Sequence, residues 1–374
     1  MRCLIAVDAF KGALDQVAVS EALGQGLTQG FGRGLHVDLC PLADGGEGSG
    51  RLLLERGGTS YPVEVLDAYG RLHQAEWVFY DGIGLVESAQ GSPYVQAQQR
   101  PKVSALTATS RGTGQLLNEA LRNPKVREVW LALGGTGNVD AGIGLLEELG
   151  WRFFDERARR LPGSPKSWDS IRRIDQVKVD KPVTALVDVD VPLLGDDGML
   201  KRFGPQKGLT DEEIQSWEIP LTNYANEVDL DSAHLKGAGA AGGLGYAAAV
   251  LGAPLHSGAQ WFAQWAGLLE RVQASDVVIT GEGHLDDQSL RGKVLSQVLE
   301  MASKTKTPVI AVAGQIPDDL QPFYDRGLWA AWAIGSGPMA LDAALRRTYD
   351  SLYQTGQTLG RLLGGSLFFK ARTP

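Results

Sequence analysis

Only two cysteines, Cys3 and Cys40, occur in 374 residues. Both sit in apolar stretches that read as strands, so buried free thiols in a reducing cytoplasm are expected. There are five histidines, widely spaced, and neither HExxH nor CxxC. That absence sets zinc aside. GxSxG is also missing, which sets aside Ser/His/Asp hydrolysis. No apolar run approaches the 18 or so residues of a membrane span. The opening MRCLIAVDAF carries only about five apolar residues before Asp8, too few for a secretory leader. A basic run is lacking as well. The nearest, RARR at 157–160, is short and flanked by acids, and the formal net charge is −8. A nucleic-acid binder would more often carry a basic face. These absences leave a cytoplasmic protein with small-molecule partners, no nucleic acid and no membrane.

Glycine is plentiful, at 48 residues. That is roughly 13% of the chain against about 7% on average, in short clusters between apolar runs. The run CLIAV ends at Asp8. From Leu14 to Leu27 the apolar spacing is helical, with Asp15 as N-cap. LHVDLCPL then reads as a second strand. Later, SDVVITGEG, PVIAVAGQI and LWAAWAIGSG read as strands, and VLSQVLEMASKT as a helix. Continuous apolar strands followed by helices predict an α/β fold with mainly parallel sheets. The middle has its own strands: IGLVESAQG, EVWLALGGTG and VTALVDVD. We therefore expect two α/β domains, one inserted into the other. The first is a Rossmann-like domain of residues 1–62 with 275–374; the insert is 63–274. The active site is expected in the cleft between them, and the chain as a monomer or homodimer.

In open α/β sheets, ligands bind beyond the carboxyl ends of the strands. Carboxylates stand there again and again. Asp8 follows the first strand, with Lys11 near. Asp44 and Glu47 follow the second, in ADGGEG. Asp140 follows WLALGG, and Asp188 and Asp190 follow VTALV. Glu282, Asp286 and Gln288 follow DVVIT, with Lys293 beyond. One such acid could be a turn or cap residue. Five sites together point to a hard cation, Mg²⁺, and with the lysines to phosphoryl transfer. GAGAAGGLG at 237–245 contains GxGxxG, but DSAHLK precedes it, not an apolar strand, so a nicotinamide-dependent dehydrogenase is the weaker alternative. It reads either as a helix N-terminus offering N–H groups to an anion or as close helix packing through glycine. FGPQKG at 203–208 reads as a tight turn carrying Gln206 and Lys207.

The assembled motifs resemble the bacterial glycerate kinase family, type 1. VDAFKGA (7–13) stands where the family has PDSFKGS. ADGGEG (43–48) is unchanged. TSRGTGQLL (109–117), FGPQKG, GAGAAGGLG and ITGEGHLDDQSLRGK (279–293) also match, in order, over nearly the whole chain. The resemblance implies ATP-dependent phosphorylation of D-glycerate with Mg²⁺, usually to 2-phosphoglycerate. Asp188 is then the expected base, with Asp8 and Lys11 as further catalytic residues. Asp188 and Asp190 would hold the metal. Asp44, Glu47, Asp140, Gln206, Lys207, Glu282, Asp286, Gln288 and Lys293 would meet the substrate. Gly134, Gly135, Gly237, Gly239 and Gly242 would meet the nucleotide. Three positions depart from the pattern: Ala9 replaces Ser, and Val139 and Val191 each replace Asn. An amide or hydroxyl can bond a substrate and these side chains cannot. A kinase of a related small hydroxy acid, or a glycerate pocket using Asn138, is the alternative these departures raise.

Overall fold

Strand β1 (Arg2–Val7) sends its side chains alternately into two cores. Leu4 and Ala6 join one apolar cluster; Cys3, Ile5 and Val7 join another. A strand buried on both faces needs no polar alternation, which is why CLIAV runs apolar without a break. Both cysteines are buried and neither is in a disulfide, Cys40 lying just past the second strand.

The structure, a computed structural model, describes residues 1–96, 105–335, 337 and 339–370. After β1 come β2 (His36–Leu39), β3 (Thr59–Leu66), β4 (Leu72–Tyr80), β5 (Ile83–Glu87) and β6 (Glu128–Ala132). Then follow β7 (Arg152–Phe154), β8 (Arg160–Leu161), β9 (Arg173–Asp175), β10 (Val183–Val187) and β11 (Leu255–Ser257). The last strands are β12 (Val277–His284), β13 (Val309–Gln315) and β14 (Leu328–Ala333). One sheet has the order β14-β13-β12-β1-β2 and is parallel throughout. A second has the order β11-β10-β6-β5-β4-β3, parallel from β11 to β5, with β4 and β3 added antiparallel. A small antiparallel sheet, β8-β7-β9, accompanies it. The fold is mixed α/β with mainly parallel sheets, as expected.

The chain divides into two compact units, Met1–Asp44 with Ala259–Pro374, and Gly45–Gly258. The divisions fall inside ADGGEG and before Ala259, where the sequence places them after 62 and before 275. Short helices make the difference. The Ser49–Glu55 helix packs on β4 and β5, and the Leu268–Gln273 helix packs on β1 and on the Val294–Thr305 helix. Composition does not reveal such long-range choices.

In the first unit, the Gln16–Phe31 helix begins as its sequence predicts. The Asp15 carboxylate accepts the Ala18 N–H at 2.8 Å, an N-cap bond typically contributing about 1 kcal/mol. This helix packs lengthwise on the Thr348–Lys370 helix. The two backbones touch through glycine. A Cβ on Gly26 would strike the Tyr353 carbonyl, and one on Gly360 the Leu27 carbonyl. In the second unit, the core is aromatic. Trp168 stacks on Tyr224 with centroids 5.9 Å apart, and Trp151 and Tyr246 are also buried.

Candidate active site

In the first sheet the order reverses between β1 and β12. From β1 the chain moves to β2 on one side; from β12 it moves to β13 and β14 on the other. Diverging connections leave a crevice at the carboxyl ends of these strands. Register places Val7 beside Gly281, so Asp8 and Glu282 emerge as neighbours. A cavity of about 440 Å³ lies there, lined on its polar side by Asp8, Lys11, Asp44, Glu282, Asp286 and Lys293.

Charge inside this cavity is unevenly matched. Lys11 Nζ donates to Asp44 Oδ2 at 2.7 Å, the lysine being exposed and the aspartate buried. Lys293 Nζ stands 3.7 Å from Glu282 Oε2. Asp8 is 6% exposed and accepts the Ala9 N–H at 2.7 Å. Burial pushes its carboxyl well above the usual aspartate range, and Asp44 pushes it further; Lys11 acts the other way. Burial also raises Glu282. Glu282 Oε1 is buried with no hydrogen-bond partner. Asp286 is held in a turn, accepting the N–H groups of Gln288 and Ser289 at 2.8 and 3.2 Å. Gln288 itself is exposed.

The second unit carries the rest of the expected residues, and treats them differently. Asp140 has no exposure at all. Its oxygens accept from the Ser110 N–H (2.7 Å) and hydroxyl (2.8 Å), the Asn138 amide (3.0 Å) and the N–H groups of Gly142 and Gly144. Five donors leave little for a substrate, so Asp140 acts as the anchor of its loop. Asn138 is fully buried too and gives its amide to Asp140 and the Ala241 carbonyl, inside the protein rather than in a pocket. Val139 lies in the core at zero exposure, so its departure from the family pattern is a packing change.

FGPQKG is not a turn. It forms the end of the Met199–Lys207 helix, closed by Gly208 in the left-handed region. Gly-Pro looks like a turn signal, but Pro205 is accommodated inside the helix. Gln206 and Lys207 thus face apart. Gln206 is exposed, and Lys207 is buried, donating to the Asn138 carbonyl at 2.7 Å and to Thr136 Oγ1 at 3.3 Å. Burial brings the Lys207 ammonium down to about 7, against the pull of Asp140. GAGAAGGLG is likewise no simple helix start. Ala241, Gly242 and Gly243 adopt left-handed angles within the Ala240–Val250 helix. A Cβ on Gly242 would strike the Asn138 carbonyl, and one on Gly239 the Pro192 carbonyl. These glycines serve close packing. Gly237 follows the Leu230–Ala233 helix and not a strand, so the dinucleotide context is absent.

Gly134 and Gly135 lie beside the second part of ADGGEG. Gly134 approaches Gly46, and Gly135 approaches Glu47. Glu87, at the end of β5, was not among the predicted site residues. Its carboxylate accepts the Gly50 N–H at 2.6 Å and the Gly48 N–H at 3.3 Å, so it ties down this loop. Burial raises it to about 6. The strand-end rule that picked the other acids would have picked Glu87 from IGLVE. Asp188 is half-buried at the end of β10, while Asp190 is exposed and 3.4 Å from Lys236. Among the described residues, no three His, Cys, Asp or Glu side chains gather as a metal-holding group. Asp188 and Asp190, expected to hold the metal, thus belong to no such group.

A sequence profile described as the glycerate kinase family matches residues 3–364. The chain belongs to the glycerate kinase family. It is therefore a phosphotransferase with an alcohol group as acceptor. Among curated relatives, a glycerate 2-kinase of Escherichia coli (strain K12) is 32% identical, the alignment covering 97% of this chain and 98% of that one. A glycerate kinase of Bacillus cereus is 30% identical, covering 96% and 97%. A crystal structure from Salmonella typhimurium LT2, provisionally assigned as glycerate kinase 2, superposes with a TM-score of 0.84 at 30% identity, over 98% of this chain and 99% of that one. No helix among the described residues is long and apolar enough to cross a membrane.

Proposed function

We propose that this protein transfers the γ-phosphoryl group of ATP to D-glycerate, giving ADP and 2-phosphoglycerate. The observation that carries this reading is the switch-point cavity, where buried carboxylates and two lysines meet. The acceptor's hydroxyl oxygen attacks the γ-phosphorus. The bond from that phosphorus to the β–γ bridging oxygen breaks, and ADP leaves with the electron pair. Asp8 takes the hydroxyl proton. Its burial beside Asp44 moves its basicity toward the working pH, where a general base is most effective. Asp8 takes this role in preference to Asp188. Lys11 and Lys293 offset the charge spread over the phosphoryl oxygens. Asp188 would hold magnesium, whose charge would offset that of a phosphate.

A second reading, a related hydroxy acid as acceptor, is favoured by Ala9, which lines the cavity where the family has Ser. A coupled assay for ADP release across D-glycerate, L-glycerate and related hydroxy acids separates the two, with NMR of the product to show which hydroxyl carries phosphate. Turnover with D-glycerate well above all others supports the first reading. ADP release with none of them removes both.

A further inference from the structure

Around ADGGEG, residues 42–46 are buried, and so are 49 and 50, yet Glu47 is exposed. The backbone is held while one carboxylate projects. What holds it comes from the end of β5, where three consecutive residues each meet a neighbouring loop. Glu87 Oε1 accepts the Gly50 N–H at 2.6 Å and Oε2 the Gly48 N–H at 3.3 Å. Gly48 has no side chain with which to cap the Ser49–Glu55 helix, so Glu87 does it from another strand. Ser88 Oγ donates to the Gly134 carbonyl at 2.9 Å and accepts the Gly134 N–H at 3.0 Å. Ala89 lies against Gly135, where a Cβ would come within 3.0 Å of Ala89 and 3.5 Å of the Glu47 carboxylate.

We propose that Glu87 is a positioning residue: it fixes the backbone of ADGGEG so that the Glu47 carboxylate meets a hydroxyl group of the acceptor, and a proton on Glu87 releases that hold. The proposal rests on the kinase reading, within which Glu47 is a contact of the acceptor. Two N–H groups need two acceptor oxygens, and an ionised carboxylate supplies both. Burial raises the Glu87 carboxyl to about 6; the two N–H groups oppose the rise, and Glu47 in the loop and Glu76 on β4 add to it. The nearby helices commit their arginines elsewhere, Arg51 to Glu55 and Arg111 to Glu148, each at 2.7 Å. Above about 6 the loop is tied, and as pH falls through that value one oxygen becomes a donor and the tie is lost.

A double-mutant cycle in the full-length chain tests the coupling. Glu47→Gln should raise KM for D-glycerate about tenfold and Glu87→Gln about fivefold, with KM for ATP within about twofold of the parent. A residue that acts through Glu47 adds nothing once Glu47 is replaced, so the double variant should match Glu47→Gln within about twofold. Effects that multiply in the double variant, or Glu47→Gln at the parental KM, overturn the proposal while leaving the kinase reading standing. The parent itself gives a second measurement that needs no variant to fold. Its Gly50 amide proton, followed by NMR in ¹⁵N-labelled protein, should titrate near 6, and KM for D-glycerate should rise as pH falls through the same value. A KM that stays flat across that titration overturns the proposal as well. A parent chain that turns over no acceptor at any pH removes the kinase reading itself.

Discussion

Asp8 and Asp140 are both aspartates that follow an apolar strand and lose almost all contact with water. Around Asp8 the acids outnumber their partners. Asp8 accepts one backbone N–H, Glu282 Oε1 accepts nothing, and an open cavity lies before them. Around Asp140 five donors converge and no space is left. The first arrangement keeps charge poorly compensated, at a cost in stability, and leaves its oxygens for a ligand. The second uses the same residue type to fix the shape of a loop. An under-satisfied buried group marks chemistry, and a saturated one marks scaffold.

This contrast breaks most sharply in turnover. Asp8→Asn should lower kcat by about 10² or more, the usual range for a general base. Its thermal midpoint should hold or rise, because one of three crowded carboxylates is neutralised. A kcat within a few fold of the parent, in the assay for ADP release, would return the role to another acid.

The opposite outcome belongs to Asp140→Ala. Removing a carboxylate that satisfies five buried donors should cost about 3 kcal/mol or more in urea unfolding. If stability barely changes while KM for glycerate climbs, Asp140 meets substrate after all and the comparison collapses.

A smaller effect concerns Lys207, buried in the same network as Asp140. Its ammonium is held down at about 7 in the fold, against about 10.4 in an unfolded chain. Between those values the unfolded chain binds the extra proton, so stability rises with pH across that window. This contribution is complete above the unfolded value and is lost as pH falls through about 7. Lys207→Met should flatten that rise relative to the parent when unfolding is followed from pH 7 to 10. Parallel curves would show that the amine is charged in the fold.

Local pattern was enough for most elements. The Val294–Thr305 helix coincides with VLSQVLEMASKT, and Asp15 caps where predicted. Apolar runs located β1, β6, β10 and β12, because a twice-buried strand writes itself as an unbroken apolar string. Local pattern failed where a distant residue decided. FGPQKG looked like a turn because Gly-Pro breaks isolated helices, yet packing carries the helix through Pro205 to Gly208. Nor did local pattern show that glycines bring the Gln16–Phe31 and Thr348–Lys370 helices into backbone contact.

By itself, the sequence determined the alternation of strands and helices, the family, and which side chains stand at strand ends, since each follows from residues near one another in the chain. Tertiary structure decided which of those side chains work. Asp140 becomes an anchor only because Ser110 arrives from thirty residues away, and Glu282 Oε1 is left without a hydrogen bond while Lys293 stands 3.7 Å from the other oxygen. Hydrogen-bond saturation depends on what folds against a group, and that is written across the chain rather than beside it.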